Sequence, residues 1–320
     1  MSTITLRRGK PDRDGLATRH RGGSRDWFER LGLPYLLLLP ALLLVLLFQL
    51  YPTVSAGWYS LHSVLLSKLF QPRFVGLQNF RELLSGPFPN LINPIAWVTV
   101  NWVVGAVVLQ VGTGLGLAIL LQQPWLKGRD FFRGLFLFPW VIAGIIVGYS
   151  WRFIFDPNAG LANALLREVG LPPVSWLNTS LLAMPCLLVA STWRAAGYSL
   201  VLEMGGLQSV PEEIYDAAAI DGASGLALVR YIIIPVIRPF LLVDLIVATV
   251  AALNAFDFIL TMTRGGPVYR TEVVGLFNYH QAFIYGKIGY GAAISVVIFV
   301  ISILLTLGYL FVFRRDEEAF

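Results

Sequence analysis

Long apolar runs alternate with short polar segments along most of the 320-residue chain. Each run is close to the ~20 residues that an α-helix needs to cross a bilayer. This pattern predicts an all-α integral membrane protein with six transmembrane helices. We place the spans at about Leu33–Tyr59, Pro94–Leu121, Phe131–Phe155, Leu181–Leu202, Ile232–Phe258 and Tyr290–Phe313.

Composition supports the membrane assignment. Hydrophobic residues make up 56% of the chain and charged residues only 13%, which does not suit a soluble domain. The isoelectric point near 9.4 is compatible with binding to nucleic acid. The basic residues nevertheless cluster at the flanks of the apolar runs, so we attribute them to membrane topology and predict no nucleic-acid partner.

The distribution of charge also predicts the orientation. If the N-terminus is cytoplasmic, the inner segments hold most of the 24 lysines and arginines, as the positive-inside rule requires. An even number of spans then puts both termini in the cytoplasm of a cell whose inner or plasma membrane holds the chain. We divide the sequence into a disordered basic tail (1–30), a first helix with an outer loop (31–93), a transmembrane core (94–313) and a C-terminal cytoplasmic tail (314–320).

The polar loop between the fourth and fifth spans has its own helical pattern. Ser209 and Glu212 have the spacing of a capping box, and Pro211 falls in the first turn of the helix they predict. Gly222 can adopt a left-handed conformation and end that helix, after which Ser224 can cap a second one. The sequence therefore predicts two short helices joined by a turn.

Helical spacing divides the first loop helix into two faces. It puts Ile214, Ala217 and Ala218 on one face and Glu212, Glu213 and Asp216 on another. The small alanines would let another backbone approach closely. From spacing alone, a docking helix and an ordinary connecting loop are both open interpretations.

A few polar residues interrupt the spans. Arg194 lies inside the fourth, where an arginine usually faces a cavity or a partner, although snorkelling toward the outer surface is an alternative. In the fifth, Asn254 and Asp257 are one helical turn apart, which predicts a shared polar face or a polar cap at the helix end. Asp244 is predicted to be an interhelical hydrogen-bond partner.

Glycine and proline predict local packing in two other spans. Gly112 and Gly116 form a G-x-x-x-G pair, which favours close contact with another helix. Pro139 lies in the opening part of the third span and predicts a kink there.

Several segments together resemble the permease subunits of carbohydrate-type ABC importers. The loop sequence Asp216-Ala217-Ala218, followed by Asp221-Gly222-Ala223 and then Pro235, is similar to the EAA loop of that family. Asp216 stands where the family usually has Glu. The segment Phe74–Phe80 is similar to F-x-G-L-x-N-F/Y, and Thr263–Pro267 is similar to the T-x-G-G-P turn.

The resemblance implies a set of partners. The permease would pair with a second, homologous permease subunit, two copies of a cytoplasmic ATPase and an extracytoplasmic substrate-binding protein. The EAA loop would be the coupling helix that docks on the ATPase, where Mg-ATP is bound and hydrolysed. The chain itself would need no cofactor and would not be an enzyme.

The resemblance also implies two groups of site residues. The coupling group comprises Glu212, Glu213, Tyr215, Asp216, Ala217, Ala218, Asp221, Gly222 and Ala223. The substrate-path group comprises Arg194, Ala195, Tyr198, Asn254, Phe256 and Asp257. Tyr198 would offer a ring face and a hydroxyl to a sugar.

The sequence argues against an ATP-binding protein, a metalloprotein, an enzyme with a catalytic triad and an ion-coupled carrier. The sequence has no Walker G-x-x-x-x-G-K-[ST] loop, no Cys/His cluster with metal-ligand spacing and no legible catalytic triad. An ion-coupled carrier would show inverted repeats, which are not evident. A sugar is the first expectation for the substrate. Glycerol phosphate is the alternative, because Arg194 could favour an anion.

Overall fold

The computed structural model of the chain describes residues 33–123 and 125–317. The predicted N-terminal tail lies outside these residues, while the last helix continues through 314–317 of the segment predicted as the C-terminal tail. The chain divides into two units, up to Val54 and from Ser55 onward. The first unit is helical; it contains α1 (Leu33–Val45), a π-helical turn (Leu46–Leu50) and the start of α2 (Tyr51–Ser60).

The second unit is helical apart from one small hairpin. Strands β1 (His62–Ser63) and β2 (Arg73–Phe74) pair antiparallel around a 3₁₀ turn (Leu66–Lys68). The helices before the polar loop are α3 (Gln78–Ser85), α4 (Ile95–Leu121), α5 (Arg129–Val141), α6 (Gly144–Ile154), α7 (Leu161–Glu168) and α8 (Ala183–Gln208).

The polar loop and the helices after it complete the second unit. They are α9 (Glu212–Ile220), α10 (Gly225–Leu228), a π-helical turn (Val229–Ile233), α11 (Ile234–Val236), α12 (Arg238–Leu253), α13 (Asp257–Met262), α14 (Val274–Tyr279), a third π-helical turn (His280–Ile284) and α15 (Ile288–Glu317).

Three helices of the described chain are long and apolar enough to cross a membrane, namely Tyr35–Ser60, Ile95–Leu121 and Ile288–Phe313. Two bent pairs raise this number to five if each pair forms one span: α5 with α6, and the segment Gly225–Val236 with α12. Helix α8, at the predicted fourth span, is not among them. The count of six therefore stays a prediction.

The third span has the kink predicted from Pro139, and the fifth span, for which no kink was predicted, is bent as well. Helices α5 and α6 meet at a bend of 99°, where Ile142 and Ala143 leave the helical conformation just after Pro139. The predicted fifth span is bent by 82° before α12, next to Pro239, which has no N–H to continue a helical ladder. It also ends at Leu253, before the predicted end at Phe258.

Helices α4 and α8 pack along their length and carry two buried clusters. One surrounds Trp102, whose indole N–H donates to the Ala252 carbonyl at 3.0 Å. The other includes Leu121, Leu207 and Ile237 and lies at the loop end of α8. The loop is therefore built on the same core that holds the long helices together.

The predicted role of Gly112 and Gly116 in helix contact is wrong within the described chain, because nothing described lies within 4 Å of a Cβ at either position. The close contacts of α4 involve Gly105 and Gly114. A Cβ at Gly105 would meet Leu188 at 2.9 Å, and a Cβ at Gly114 would meet Ser199 on α8. Two glycines outside the G-x-x-x-G pair thus allow α4 to approach α8.

Candidate functional site

The predicted loop helix exists as α9, but it does not begin with a capping box. Ser209 ends α8, and its hydroxyl donates to the Gly206 carbonyl at 2.7 Å. Ser209 is the C-cap of α8 with helical φ and ψ of −82° and −8°, and α9 begins only at Glu212, so the predicted capping box is wrong. Pro211 precedes α9, and its carbonyl accepts from the N–H of Ile214 at 3.2 Å.

The end of α9 follows the prediction. Gly222 has φ +76°, in the left-handed region that glycine adopts without a steric penalty. The N–H of Ala223 donates to the Ala218 carbonyl at 2.9 Å, as in a Schellman closure. Ser224 lies just before α10 in extended conformation, at the predicted cap position, although its side chain makes no cap bond.

The two faces of α9 differ from the prediction at one residue. Ile214 and Tyr215 are half-buried against the cluster of Leu121, Leu207 and Ile237, and Ala218 is buried. Ala217 is exposed, so it lies with the acidic side chains rather than with Ala218. The outward surface of the loop includes Glu212, Glu213, Asp216, Ala217 and Asp221.

Large apolar side chains are exposed next to these acids. Ile220 is 87% exposed and Leu226 is 81% exposed. Tyr231 follows on the next helical segment and is also exposed. Among the described residues nothing covers them, and exposed apolar side chains beside charges are typical of a surface that binds another protein. Sequence analysis did not select these residues, because helical spacing does not show which side chains the rest of the chain leaves bare.

Tyr215 anchors the loop from its inner side. Burial raises the pKa of its phenol, which therefore stays neutral. The hydroxyl oxygen is buried and has no hydrogen-bond partner among the described residues. The ring, rather than the hydroxyl, therefore holds α9 against the core.

The predicted substrate-path residues on α8 are partly buried. Tyr198 stacks on Trp140 of α5, with ring centroids 5.3 Å apart and planes 29° from parallel. Ala195 is half-buried, and so is Arg194, whose Nε is shielded from solvent and has no partner in the described chain. Gly197 brings α8 against the backbone of α5 at Phe136, which positions the stacked pair.

The other predicted substrate-path residues lie at a break between helices. Asn254 ends α12, and its amide donates back to the Val250 carbonyl at 2.8 Å. Phe256 stacks on Tyr279 of α14, with centroids 5.3 Å apart. Asp257 begins α13. Asn254 and Asp257 therefore belong to different helices, and the prediction that they share one helical face is wrong.

Asp257 lies against α6 at a position that sequence analysis missed. A Cβ at Gly144 would collide with the Asp257 carboxylate, and a Cβ at Gly148 would collide with the Thr261 hydroxyl. These two glycines let α6 pack closely on α13. Their G-x-x-x-G spacing could have predicted this helix contact from the sequence. The same spacing at Gly112 and Gly116 predicted a contact that is not found among the described residues.

The two substrate-path groups do not touch each other. Within 33–123 and 125–317, no hydrogen bond, ion pair or ring contact joins Arg194 or Tyr198 to Asn254 or Asp257. Helix α6 contacts both sides, since Trp151 pairs with Trp193 of α8 at 5.8 Å and Gly144 meets Asp257. The groups therefore flank α6 rather than form one pocket.

Asp244 is confirmed as an interhelical partner. The hydroxyl of Ser199 on α8 donates to its Oδ1 at 2.9 Å. For metals, no group of three or more His, Cys, Asp or Glu side chains in the described part of the chain could hold an ion.

Comparison with known proteins agrees with the resemblance. Residues 16–315 match the family described as "binding-protein-dependent transport system inner membrane component". The trehalose/maltose transport system permease protein MalF of Thermococcus litoralis is 37% identical over 297 residues, which cover 92% of this chain and 98% of that protein. The sn-glycerol-3-phosphate transport system permease protein UgpA of Rhizobium meliloti is 34% identical over 289 residues, which cover 89% and 95%.

The fold is also found among solved structures. A chain in the crystal structure of a bacterial alginate ABC transporter, in complex with alginate pentasaccharide-bound periplasmic protein, superposes with a TM-score of 0.76. The two chains are 21% identical, and the match covers 91% of this chain and 98% of the other. The chain therefore has the fold of an ABC transporter permease and belongs to the family of inner membrane components of binding-protein-dependent transport systems.

Proposed function

We propose that this chain is a permease subunit of a binding-protein-dependent ABC importer that moves a sugar into the cytoplasm. The main support is the polar loop, because α9 is anchored on its inner side by Ile214 and Tyr215 while its outer side carries exposed acids and Ile220. A helix that is fixed to the core on one side and bare on the other can transmit movement from a partner. Family membership makes an ATPase the expected partner.

In this proposal the coupling residues divide into two roles. Glu212, Glu213, Asp216 and Asp221 face the ATPase and meet basic side chains there, while Ala217 lets the partner's backbone approach. Tyr215, Ala218, Gly222 and Ala223 hold the shape of the loop. Mg-ATP binds and is hydrolysed on the partner, and no covalent chemistry occurs in this chain.

Transport then follows from alternating access. Closure of two ATPase copies pulls on the loop of this subunit and on that of a second, homologous permease. The helices rock between inward-open and outward-open states, and an extracytoplasmic binding protein delivers the substrate. Both termini lie in the cytoplasm, as the distribution of lysine and arginine favours.

The substrate passes the two groups that flank α6. The stacked rings of Trp140 and Tyr198, and the Phe256–Tyr279 pair, offer flat apolar surfaces of the kind that bind the faces of sugar rings. Asn254 and Asp257 offer acceptors and donors for hydroxyl groups. Ala195 leaves space beside Arg194.

Glycerol phosphate is a second candidate substrate. The observation that favours it is Arg194, a half-buried arginine with no carboxylate of the described chain within 4 Å of it. A guanidinium in that position would bind a phosphate well. The relative from Rhizobium meliloti is named for this substrate.

A matched pair of glycine variants tests the coupling role. Gly222 and Gly170 have φ of +76° and +74°, and neither has a described atom within 4 Å of its Cβ position. Alanine should cost a similar roughly 1–2 kcal/mol at either site, because both positions are left-handed. We expect Gly222→Ala to reduce binding-protein-stimulated ATPase activity several-fold in the purified transporter and Gly170→Ala to leave it nearly unchanged.

The same assay identifies the substrate. Maltose, trehalose and sn-glycerol-3-phosphate would be offered one at a time with the binding protein. Stimulation by a sugar supports the first proposal, and stimulation by glycerol phosphate alone supports the second. A chain that purifies without an ATPase and transports solute without ATP would refute both.

A further inference from the structure

Four polar side chains form a buried cluster at the loop end of the long helices. Gln110 belongs to α4, Ser199 and Glu203 to α8, and Asp244 to α12. Ser199, Glu203 and Asp244 have no exposed surface, and Gln110 is also buried. Helices α8 and α12 are those that enter and leave the polar loop, so the cluster joins the two sides of that loop.

The cluster is an ordered chain of hydrogen bonds with one gap. The amide of Gln110 donates to the Ser199 hydroxyl oxygen at 3.1 Å, and that hydroxyl donates to Asp244 Oδ1 at 2.9 Å. The carboxyl groups of Glu203 and Asp244 lie close enough for a hydrogen bond between them. If both are ionised, Asp244 Oδ2 and both oxygens of Glu203 have no donor among the described residues.

Two adjacent carboxylates in a buried site repel each other, and each also loses its hydration. The groups that face the pair from the packed helices are Gln110 and Gly114 of α4 and Ser199 of α8, and all are uncharged. No lysine or arginine in the described ranges donates a hydrogen bond to Glu203 or to Asp244 Oδ2. A proton held between the two groups would remove the repulsion and supply the missing donor.

The space around Glu203 is closed on the α4 side. A Cβ at Gly114 would lie 2.8 Å from Glu203 Oε2 and 2.5 Å from the Ser199 Cβ. Glycine at this position therefore lets α4 cover the carboxyl group. Because α4 lies so close, water is excluded from this side of the Glu203 carboxyl group. The carboxyl group therefore needs a hydrogen-bond partner within the protein.

We propose that Glu203 is protonated at neutral pH and donates its proton to Asp244, which fastens α8 to α12 at the base of the polar loop. Glu203 Oε–H donates to Asp244 Oδ2, while Ser199 and Gln110 complete the chain on the other oxygen. The bound species is a single proton. The inference stands on the cluster alone and does not depend on the proposed substrate or ATPase.

Infrared difference spectroscopy of the full-length chain, purified with its natural subunits, tests this directly. A buried protonated carboxyl group gives a carbonyl band separate from those of carboxylates. We expect the band at pH 7 in the wild type and in the control Glu168→Gln, which changes an exposed acid of α7. We expect it to be missing in Glu203→Gln.

Thermal unfolding of the wild type, Glu203→Gln and Glu203→Met measures how much the donated hydrogen bond stabilises the protein. Glu203→Gln keeps an N–H donor toward Asp244, so its midpoint should stay within a few degrees of the wild type. Glu203→Met has a similar length and no donor, so its midpoint should fall by roughly 5 °C or more. Should the methionine variant fail to fold, the infrared comparison of wild type with Glu203→Gln still decides.

Two results would overturn the proposal. One is a wild-type spectrum at pH 7 without any band that Glu203→Gln removes, which would mean that both groups are ionised. A midpoint that rises when choline is replaced by sodium or potassium would then assign a metal cation to the pair. The other is equal destabilisation by Gln and Met, which would mean that the donated hydrogen bond contributes nothing.

Discussion

At the scale of single residues, the packing of α6 on α13 depends on glycines that have no room for a side chain. Gly144 meets the Asp257 carboxylate and Gly148 meets the Thr261 hydroxyl. This contact fixes Asp257 at the start of α13, within the group of the proposed substrate path that also contains Asn254. Asp257 is predicted to bind the sugar, but it lies on a different helix from Asn254. The orientation of Asp257 is therefore determined by α6 rather than by α12.

Gly144→Ala should therefore disturb the proposed path. The new methyl group would push the Asp257 carboxylate away, at a cost of roughly 1–3 kcal/mol from overpacking. Uptake of the substrate should fall, and the thermal midpoint of the purified protein should drop. Gly134→Ala on α5 is the control, because nothing described lies within 4 Å of that position. Equal uptake by both variants would argue against a role for this contact.

At the scale of helices and loops, the sequence located the elements but not their interruptions. Hydrophobic runs predicted the positions of α4, α8 and α15, and Gly222 predicted where α9 ends. Pro139 predicted a kink in the third span but not a bend of 99°, and the bend of 82° in the fifth span was not predicted. A run of apolar residues looks the same whether the chain inside it is straight or bent. The capping box failed because Ser209 closes the preceding helix and α9 begins only at Glu212. Such competition between local partners is decided by packing, which spacing does not reveal.

The exposed apolar surface of the loop gives a prediction at this scale. Leu226 and Leu181 are each 81% exposed, but only Leu226 belongs to the polar loop. Aspartate at an exposed site should change the stability of the chain by less than about 0.5 kcal/mol. We expect Leu226→Asp to lower the amount of ATPase that co-purifies and Leu181→Asp to leave it unchanged. Loss of the ATPase from Leu181→Asp but not from Leu226→Asp would show that the ATPase docks on another surface.

At the scale of the whole molecule, the number of membrane crossings depends on α8. The proposed orientation puts the turn before α7 outside and the loop helix α9 inside, with α8 as the span between them. The apolar pattern predicts that α8 crosses, although α8 is not among the helices of the described chain that are long and apolar enough to do so. The buried cluster that ties it to α4 and α12 favours a crossing, since Gln110, Ser199 and Asp244 bind one another across the three helices rather than water.

Labelling of introduced cysteines tests the crossing of α8. The native Cys186 is buried and should react slowly, so it need not be removed. Asn158→Cys and Glu213→Cys introduce exposed thiols on either side of α8. We expect a membrane-impermeant reagent to label the cysteine at position 158 in cells whose outer membrane surface is accessible to the reagent. The cysteine at position 213 should be labelled only in inverted vesicles. Labelling of both from the same side would show that α8 does not cross.

The contact between Gly144 and Asp257 has a further consequence for how this sequence can change over time. Any side chain at position 144 needs the volume that the carboxylate occupies, so a substitution there is tolerated only if position 257 shrinks or turns away. Substitution of Asp257 alone by a smaller residue leaves a gap but no collision. Descendants of this sequence should therefore lose Asp257 before they lose Gly144, and the order of the two changes should be hard to reverse.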